Sequence, residues 1–548
     1  MTKQFKETSR TIKHLTQRAE KGNFESSFQL YKNYTDGKNV EQKNEALAQK
    51  YYKEFEDSLT NQTLRIKSLQ LSEFRKFRDL KINFNDKITV IIGDNGAGKT
   101  SISEALSKLF STFNNNLIKE NVSGKQVIPT DVNVNATDYT EIASKFQFDN
   151  NNTFETSLAL PVDGYPGSTS SEVSTIKRFA SMYRHTSKNT SIMIPLLAFY
   201  SVERSDFKLT STVAEKATGE TTSNRFSALK DAMDGTGKLD DFSQLYIELV
   251  NLAEGENTKA VKDLRGNIRN LENTINEVYR GKELPSDDPF SAKLNMMKNE
   301  LVNLLQSASS PKYQKHLKFV NSAIENLVPD VKNLEVDRSS GKSKLLVENF
   351  GNKVNISQLS QGQKMLVALT GDLARRLVTL NPDAEQPLNC HGIVIIDEIE
   401  LHLHPKWQQE ILIGLQNTFP NIQFIVTTHS PQVLSTVDNK CIRQICLDES
   451  GEPVIKVPSF QTKGIRSSDI LEQIMGTFSI PKIPESQWLK DYSALIQEGN
   501  WKGDSGIEIL QRLVTHFGED HPEIDRLKGE IRLAEFKIKA ASKLKNRL

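Results

Sequence analysis

Apolar residues along this chain fall into two spacings, one typical of β-strands and one of α-helices. Residues 65–71 and 80–84 alternate between apolar and polar side chains, which predicts strands with one buried face. A further strand pair is predicted around 142–148 and 154–160. Continuous apolar runs predict strands buried on both faces, and these runs occupy 88–92, 192–200, 393–396 and 421–430. The pattern predicts an α/β fold, a mixed sheet with flanking helices.

Helical spacing marks both ends of the chain and its middle. Residues 1–60 predict two short helices broken at Asp36–Gly37, and the chain beyond about residue 455 is also helical in pattern. Between 261 and 305 apolar positions step by three and four around a break at 281–289, which predicts an antiparallel hairpin with arms of roughly 30 Å. Residues 162–190 are rich in serine, threonine and glycine and predict a loop.

The predicted domains are a helical N-terminal segment (1–60), the first half of the core (61–204), a helical insertion (205–330), the second half of the core (331–450) and a helical C-terminal region (451–548).

A glycine loop lies between one predicted strand and one predicted helix. Gly93–Thr100 has the Gly-x-x-x-x-Gly-Lys-Thr spacing of a P-loop. Such a loop curls backbone N–H groups around phosphate oxygens at the positive end of the next helix. We expect Lys99 to reach the β- and γ-phosphates of ATP and the Thr100 hydroxyl to hold Mg²⁺. The residues predicted to bind the nucleotide here are Gly93, Asn95, Gly96, Gly98, Lys99, Thr100 and Ser101.

A second anion site is predicted where Leu359–Gln363 precedes an amphipathic helix. Ser360, Gly362 and Gln363 are the residues expected to contact a nucleotide. The chain already has one phosphate cradle, so a second one makes sense if it faces the nucleotide held by another subunit. This predicts a homodimer with composite ATP sites, with higher-order assembly left open.

Two buried strands end in residues suited to ATP hydrolysis. The run at 393–396 is followed by Asp397, which can hold Mg²⁺ through water, and by Glu398, which can act as general base for the attacking water. The 421–430 run contains His429, whose imidazole can hydrogen-bond the γ-phosphate. We therefore expect Glu398 and His429 to be catalytic, and Thr100 and Asp397 to be the metal ligands.

Composition limits the binding partners and the cellular compartment that we expect for this protein. The formal net charge is +1, so no overall field attracts nucleic acid or membranes. The segment Lys537–Arg547 has five basic residues and no acidic one, and it is a candidate for contact with nucleic acid or an acidic partner. Cys390, Cys441 and Cys446 form no Cys-x-x-Cys pair, which favours a reducing compartment. Neither a signal-peptide pattern nor an apolar run of membrane-spanning length is evident, so we expect a cytoplasmic protein without membrane contact.

Several stretches have more than one interpretation. Phe74–Arg78 interleaves basic and aromatic residues, which suits contact with nucleotide or nucleic acid, or a solvated turn. The helices of 1–60 suit a partner-docking surface or a cap packed on the rest of the chain. The 261–305 hairpin suits a lobe packed on the core better than a mobile lever. His402 and His404 have metal-ligand spacing, but no third ligand is evident.

Together, and in this order, the glycine loop, Leu359–Gln363, the Asp397–Glu398 pair and His429 resemble Walker A, the signature, Walker B and the switch histidine of the ABC ATPase family. The resemblance covers about residues 62–440 and implies an ABC-type P-loop ATPase head. Gln361 stands where the family usually has glycine, which puts the efficiency of hydrolysis in question.

Further features narrow the branch. Asp397–Gln408 is similar to the SMC/RecF-like branch that includes OLD-type ATPases, and it implies that His402 and His404 belong to a subunit-contact loop. The family's Q-loop glutamine has no clear counterpart, because Gln147 is predicted to lie within a strand. Residues 1–60 resemble a Sel1-like repeat.

With Phe460–Gly476 and the lack of a nuclease motif, these features resemble the PtuA family, the ATPases of Septu antiphage systems, in the version that accompanies retrons. That resemblance implies a regulatory ATPase that assembles with and controls the HNH nuclease PtuB. It also implies a reverse transcriptase with its multicopy single-stranded DNA (msDNA) as partners, and no nuclease activity in the chain itself. The alternative is an SMC/RecF-like DNA repair or maintenance ATPase that acts directly on DNA.

Overall fold

A computed structural model describes residues 2–60, 62–148, 152–205, 224–235, 239–255, 259–279, 288–338, 343–478 and 480–545. It has two compact units, Met1–Ile465 and Arg466–Leu548. The helices are α1 (Thr2–Glu20), α2 (Phe24–Asp36), α3 (Glu45–Leu59), α4 (Lys99–Ile118), α5 (Ser174–His185), α6 (Leu239–Glu254), α7 (Lys259–Tyr279), α8 (Pro289–Ala308), α9 (Pro311–Leu327), α10 (Gln361–Leu380), α11 (Pro405–Thr418), α12 (Pro431–Leu434), α13 (Ser467–Gln473), α14 (Pro484–Glu498), α15 (Asp504–Phe517) and α16 (Pro522–Lys545). The strands are β1 (Arg65–Phe74), β2 (Phe77–Asn83), β3 (Ile88–Ile92), β4 (Tyr139–Gln147), β5 (Thr153–Pro161), β6 (Leu196–Tyr200), β7 (Val331–Asp337), β8 (Lys344–Asn349), β9 (Asn352–Asn355), β10 (Gly392–Ile396), β11 (Ile422–Thr427), β12 (Ile442–Leu447) and β13 (Pro453–Lys456).

The core of the first unit is a six-stranded sheet in the order β13-β12-β3-β11-β10-β6. All neighbours are parallel except β12 and β13. Every residue of β3, β6, β10 and β11 is buried, as expected for strands covered on both faces. The four predicted buried strands are confirmed, although the 192–200 run is a strand only from Leu196. Because these strands are parallel, their carboxyl ends meet at one edge.

A four-stranded antiparallel sheet, β2-β1-β4-β5, is held against this core. The link is the fully buried side chain of Gln423 on β11. Its Oε1 accepts a hydrogen bond from the backbone N–H of Ile66 (2.9 Å), and its Nε2 donates to the carbonyls of Ile66 (2.9 Å) and Asn85 (2.8 Å). One side chain thus bonds backbone groups of β1 and of the segment after β2.

The N-terminal segment has three helices rather than the predicted two. Asn23 and Asn44 cap α2 and α3 through their side chains, and Gly37 ends α2 at φ +73°. The Phe24 ring packs against Phe148 (5.0 Å between centroids) and Phe179 (5.4 Å). These contacts agree with a cap on the rest of the chain, which was one of the two interpretations of this segment.

The prediction that 162–190 is a loop is wrong, because α5 lies within it. Ile176, Phe179, Ala180 and Tyr183 are buried along one face of this helix. Their helical spacing is only two turns long and stands between serine- and glycine-rich stretches, which dominated the composition of the region.

The insertion forms a lobe in which α6 and α9 pack against α10. The Phe242 ring occupies the space beside Gly371, where an added Cβ would lie 2.3 Å from it. The Tyr246 hydroxyl donates to the carbonyl of Leu334 (2.9 Å). Helices α7 and α8 pack together, as the predicted hairpin requires, while residues 281–287 of its break lie outside the described residues.

The second unit contains α13–α16. Its core is formed by Tyr492, Ile496, Trp501, Leu513, Ile524 and Leu527. The unit begins later along the chain than the predicted boundary at residue 451, because β12 and β13 continue the sheet to Lys456. None of the helices in the described ranges combines the length and the apolar composition needed to cross a bilayer.

The β8–β9 hairpin offers a test of backbone strain. Its two-residue turn is Phe350 (φ +49°) and Gly351 (φ +75°), and the Phe350 side chain is 70% exposed. Two positive φ values define the turn that favours Asn-Gly. We expect Phe350→Asn to raise the free energy of unfolding by about 1 kcal/mol, since a left-handed backbone is costly for phenylalanine. Denaturant unfolding would measure it, with Phe350→Leu as the unchanged control. Equal stability of all three proteins would contradict the strain.

Buried His391 makes stability depend on pH. Its Nε2 has no hydrogen-bond partner among the described residues, and burial, with a smaller effect of the Arg65 charge, lowers the pKa of His391 from 6.5 to about 4. His391 therefore takes up a proton below pH 6.5 in the unfolded chain, but only below about pH 4 in the folded protein. Over that window this group reduces the free energy of unfolding by about 3 kcal/mol.

We expect His391→Leu to be less acid-sensitive than the unmodified protein. Thermal melting at pH 7.5 and pH 5 would show a smaller fall in Tm for His391→Leu than for exposed His14→Gln. The same fall in both variants would contradict the assignment to His391.

Candidate active site

The P-loop turns from β3 into α4 at the carboxyl edge of the sheet. Lys99, the first residue of α4, is only 6% exposed. Its Nζ donates to the carbonyls of Gly93 (2.9 Å) and Asp94 (3.2 Å). Burial lowers the pKa of Lys99, against the raising effect of the Glu398 and Asp397 charges. The ammonium group is therefore held over the loop, where phosphate oxygens would neutralise it. Asn95 and Gly96, at the tip of the loop, are exposed.

Gly98 requires a residue without a side chain. Its φ is +101°, and an added Cβ would lie 2.4 Å from Cζ of Phe77. The neighbouring Lys76 donates from Nζ to the carbonyl of Gly96 (2.6 Å). Arg75 pairs with Asp131 (3.0 Å) and donates to the hydroxyl of Ser101 (3.3 Å). The Phe74–Arg78 segment, whose role the sequence left open, is thus the β1–β2 turn and lies against the P-loop.

A chain of hydrogen bonds joins the P-loop to the carboxyl ends of β11 and β10, which follow β3 in the sheet order. The Thr100 hydroxyl donates to Oδ2 of Asp397 (2.9 Å), and the Thr427 hydroxyl donates to Oδ1. Asp397 is fully buried. The structure therefore brings together the two predicted metal ligands, and their oxygen atoms are of the type that Mg²⁺ prefers.

Glu398 and His429 are each fixed by a residue that sequence reasoning did not select. The backbone N–H of Glu398 donates to Oγ1 of Thr427 (2.8 Å), and Glu398 has a left-handed φ of +47°. Glu400 accepts hydrogen bonds from the backbone N–H of His429 and from the Thr428 hydroxyl (2.8 Å). Glu400 therefore connects the segment after β10 to the loop after β11. Its position two residues after the predicted base was the signal available in the sequence.

Arg204, in the segment after β6, is a third residue that fixes the site and that sequence reasoning did not select. It is 1% exposed and donates three hydrogen bonds to backbone carbonyls, those of Ser201, Asp397 and Glu398. The Q-loop glutamine of the ABC family has no counterpart here, because the segment 201–205 that follows β6 contains no glutamine. Gln147, which was already a poor fit, is the last residue of β4 in the antiparallel sheet.

The signature residues lie at the start of α10. Ser360 caps the helix in a reciprocal arrangement with Gln363. Gln363 is 2% exposed, and its Nε2 donates to the carbonyl of Pro329 (3.2 Å) and to Oδ1 of Asn349 (2.9 Å). An added Cβ on Gly362 would lie 2.7 Å from the carbonyl oxygen of His402, so glycine permits this approach.

Ser360 bonds Gln363, and Gln363 bonds Pro329 after α9 and Asn349 at the end of β8. Gly362 approaches His402 in the segment after β10. The hydrogen bonds described for the P-loop include none of these three signature residues. His404 is the N-cap of α11, with its Nδ1 accepting from the backbone N–H of Lys406 (3.3 Å). Within the described part of the chain, hydrogen bonds therefore connect Walker A, Walker B and the loop of His429, and none of those described joins the signature to the P-loop.

The fold and this grouping of residues define a P-loop ATPase of the ABC type. Residues 64–434 match the family described as AAA ATPase domain. The chain is 31% identical to a Vibrio cholerae retron Vc95 probable ATPase, over 89% of this chain and 94% of that protein. It is 30% identical to an Escherichia coli retron Ec83 probable ATPase, over 95% and 96%. It is 21% identical to the Septu protein PtuA of Bacillus thuringiensis, over 75% and 84%. The chain belongs to the AAA ATPase domain family, as a retron-associated, PtuA-like ATPase.

Proposed function

We propose that two copies of this chain enclose each ATP, with Lys99 of one copy and Ser360 of the other on opposite sides of the nucleotide. The observation that carries this proposal is the separation of the signature from the P-loop group. Ser360 is exposed at the N-terminus of a 20-residue helix, where backbone N–H groups and the helix dipole favour an anion. In this proposal, a second copy brings its bound nucleotide to this end of α10.

Within each composite site the residues have distinct roles. The backbone of Gly93, Asn95, Gly96 and Gly98 surrounds the phosphates, with Ser101 on the adjacent first turn of α4. Thr100 and Asp397 hold Mg²⁺, which supplies charge neutralisation at the phosphates when bound. Glu398 accepts a proton from the attacking water, and His429 hydrogen-bonds the γ-phosphate.

In the second copy, Gly362 brings the start of α10 close to His402. Gln363 holds Ser360 in place, since its Oε1 accepts from both the backbone N–H and the hydroxyl of that residue. The side chain of Gln363 and its backbone N–H, which donates to the Ser360 hydroxyl (3.2 Å), are both used inside the subunit. Gln363 therefore contributes to nucleotide binding by holding Ser360.

The larger proposed function is regulatory. We propose a cytoplasmic antiphage complex in which this ATPase assembles with the HNH nuclease PtuB, a reverse transcriptase and msDNA, and in which bound ATP sets the state of the assembly. The retron and Septu names of the relatives support this proposal. The α2–α3 hairpin, in the position of the Sel1-like repeat, and the basic end of α16 are the proposed sites of contact.

Affinity purification of the tagged chain, expressed with its neighbouring genes in the native host, tests the partners. The proposal predicts co-purification of an HNH protein and of a reverse transcriptase carrying msDNA, with yields that change when ATP is removed. Recovery of DNA and repair proteins alone would instead support a DNA maintenance ATPase and would contradict the defence assembly.

A further inference from the structure

A buried arginine lies directly behind the proposed general base. The Arg204 guanidinium donates from Nη1 to the carbonyl oxygens of Asp397 (2.5 Å) and Ser201 (2.7 Å), and from Nη2 to the carbonyl oxygen of Glu398 (2.6 Å). Burial lowers the pKa of Arg204 to about 10, against the raising effect of neighbouring carboxylates. Only 1% of the Arg204 side chain is exposed.

The residue that Arg204 holds has an unusual backbone. Glu398 has a φ of +47°, a left-handed conformation that long side chains rarely adopt. Its N–H is bonded to Thr427 at the end of β11 (2.8 Å), and its C=O is bonded to Arg204 after β6. Hydrogen bonds from the strands on either side of β10 thus fix the two peptide units that flank the Cα atom of Glu398. In the second of these units, the N–H of Ile399 also donates to the carbonyl of Thr427 (3.1 Å). Loss of Arg204 would leave the carbonyls of Asp397 and Glu398 without its hydrogen bonds, so the backbone that carries the Glu398 carboxylate could shift.

We propose that Arg204 is a positioning residue for ATP hydrolysis, which sets the direction of the Glu398 carboxylate by holding the carbonyls of Asp397 and Glu398. This inference rests on the proposed role of Glu398 as general base. It differs from the predicted machinery because the hydrogen bonds described for Arg204 go to backbone carbonyls behind the predicted site residues. It acts on the chemical step and leaves the P-loop and the composite interface unchanged.

Arg225 provides a matched control. It is also buried and also donates to backbone carbonyls, those of Leu380 (2.6 Å) and Ile192 (3.0 Å), and burial lowers the pKa of Arg225 to about 10 as well. Ile192 precedes β6, so Arg225 lies at the amino end of the strand that Arg204 follows. Loss of either guanidinium leaves buried carbonyls unpaired, and only the loss of Arg204 affects the catalytic edge.

The first test compares full-length Arg204→Met, Arg204→Lys and Arg225→Met in steady-state ATPase assays, at a temperature where melting curves show each protein folded. We expect Arg204→Met to lower kcat by about 100-fold, the scale of a base misplaced by about 1 Å, with KM and ATP affinity little changed. Arg204→Lys should recover part of the loss and also serves if the Met variant does not fold. Arg225→Met should lower Tm and keep kcat. An equal change of kcat in both Met variants, or a raised KM with unchanged kcat for Arg204→Met, would overturn the proposal.

The second test separates this inference from the role of Glu398. If Arg204 acts through Glu398, Arg204→Met should have no further effect on kcat in a Glu398→Gln background. A further loss in the double variant, as large as in the single one, would overturn the positioning role while leaving Glu398 as base. An unchanged kcat in Glu398→Gln alone would instead contradict the proposed base.

Discussion

Replacing Lys99 with alanine is expected to weaken ATP binding by about 100-fold. The ammonium group is held over the P-loop by the carbonyls of Gly93 and Asp94 and is largely removed from water. Loss of its charge-assisted hydrogen bonds to phosphate should cost about 3 kcal/mol, or about 100-fold in affinity. Titration calorimetry with ATP and Mg²⁺ measures this change, and the ATPase rate should fall to background.

Lys87 is the matched control for this substitution. It is exposed and precedes β3, the strand that ends at the P-loop, so it lies at the opposite edge of the sheet. We expect Lys87→Ala to bind ATP normally. If Lys99→Ala also bound ATP within a fewfold of the unmodified protein, the P-loop would not be the nucleotide site.

Replacing Glu398 with glutamine should separate binding from hydrolysis. Glutamine keeps the size of the side chain and can still orient water, but it cannot accept the proton, so kcat should fall by about 10²- to 10⁴-fold. ATP binding should remain, because the residues that surround the phosphates are unchanged. We therefore expect ATP to hold this variant as a persistent dimer, detectable by light scattering after size exclusion.

Glu410→Gln, at an exposed position of α11, is the control for the loss of a negative charge. It should turn over ATP normally and return to its starting oligomeric state as ATP is consumed. A Glu398→Gln protein that stayed monomeric with ATP would contradict the composite-site proposal even if its hydrolysis were lost.

The parts of the site that could be predicted from sequence are those fixed by local chemistry. The P-loop has its glycines, lysine and threonine within eight residues, and an apolar run predicts the buried strand that precedes it. The Asp397–Glu398 pair follows another such run. Thr100 and Asp397 are 297 residues apart, yet their contact could be expected, because carboxyl ends of parallel strands meet at one edge.

The rest depends on contacts between distant segments that carry no local pattern. Arg204 bonds backbone carbonyls, and these are present at every residue, so nothing near Arg204 in the sequence indicates its partners. The need for glycine at position 98 comes partly from Phe77, on a different strand. Helix α5 was not predicted because its buried face consists of few apolar residues, and the stretches on either side of it are rich in serine and glycine.

Mixing two inactive variants tests the composite site most directly. Lys99→Ala lacks a working P-loop, and Ser360→Arg places a bulky cation at the start of α10 while keeping its own P-loop. A mixed dimer has one complete site, formed by Lys99 of the Ser360→Arg copy and Ser360 of the Lys99→Ala copy. If the copies mix at random and the sites act independently, ATPase activity should recover to about a quarter of the unmodified value. No recovery at any mixing ratio, in samples where differently tagged copies co-purify, would contradict the account.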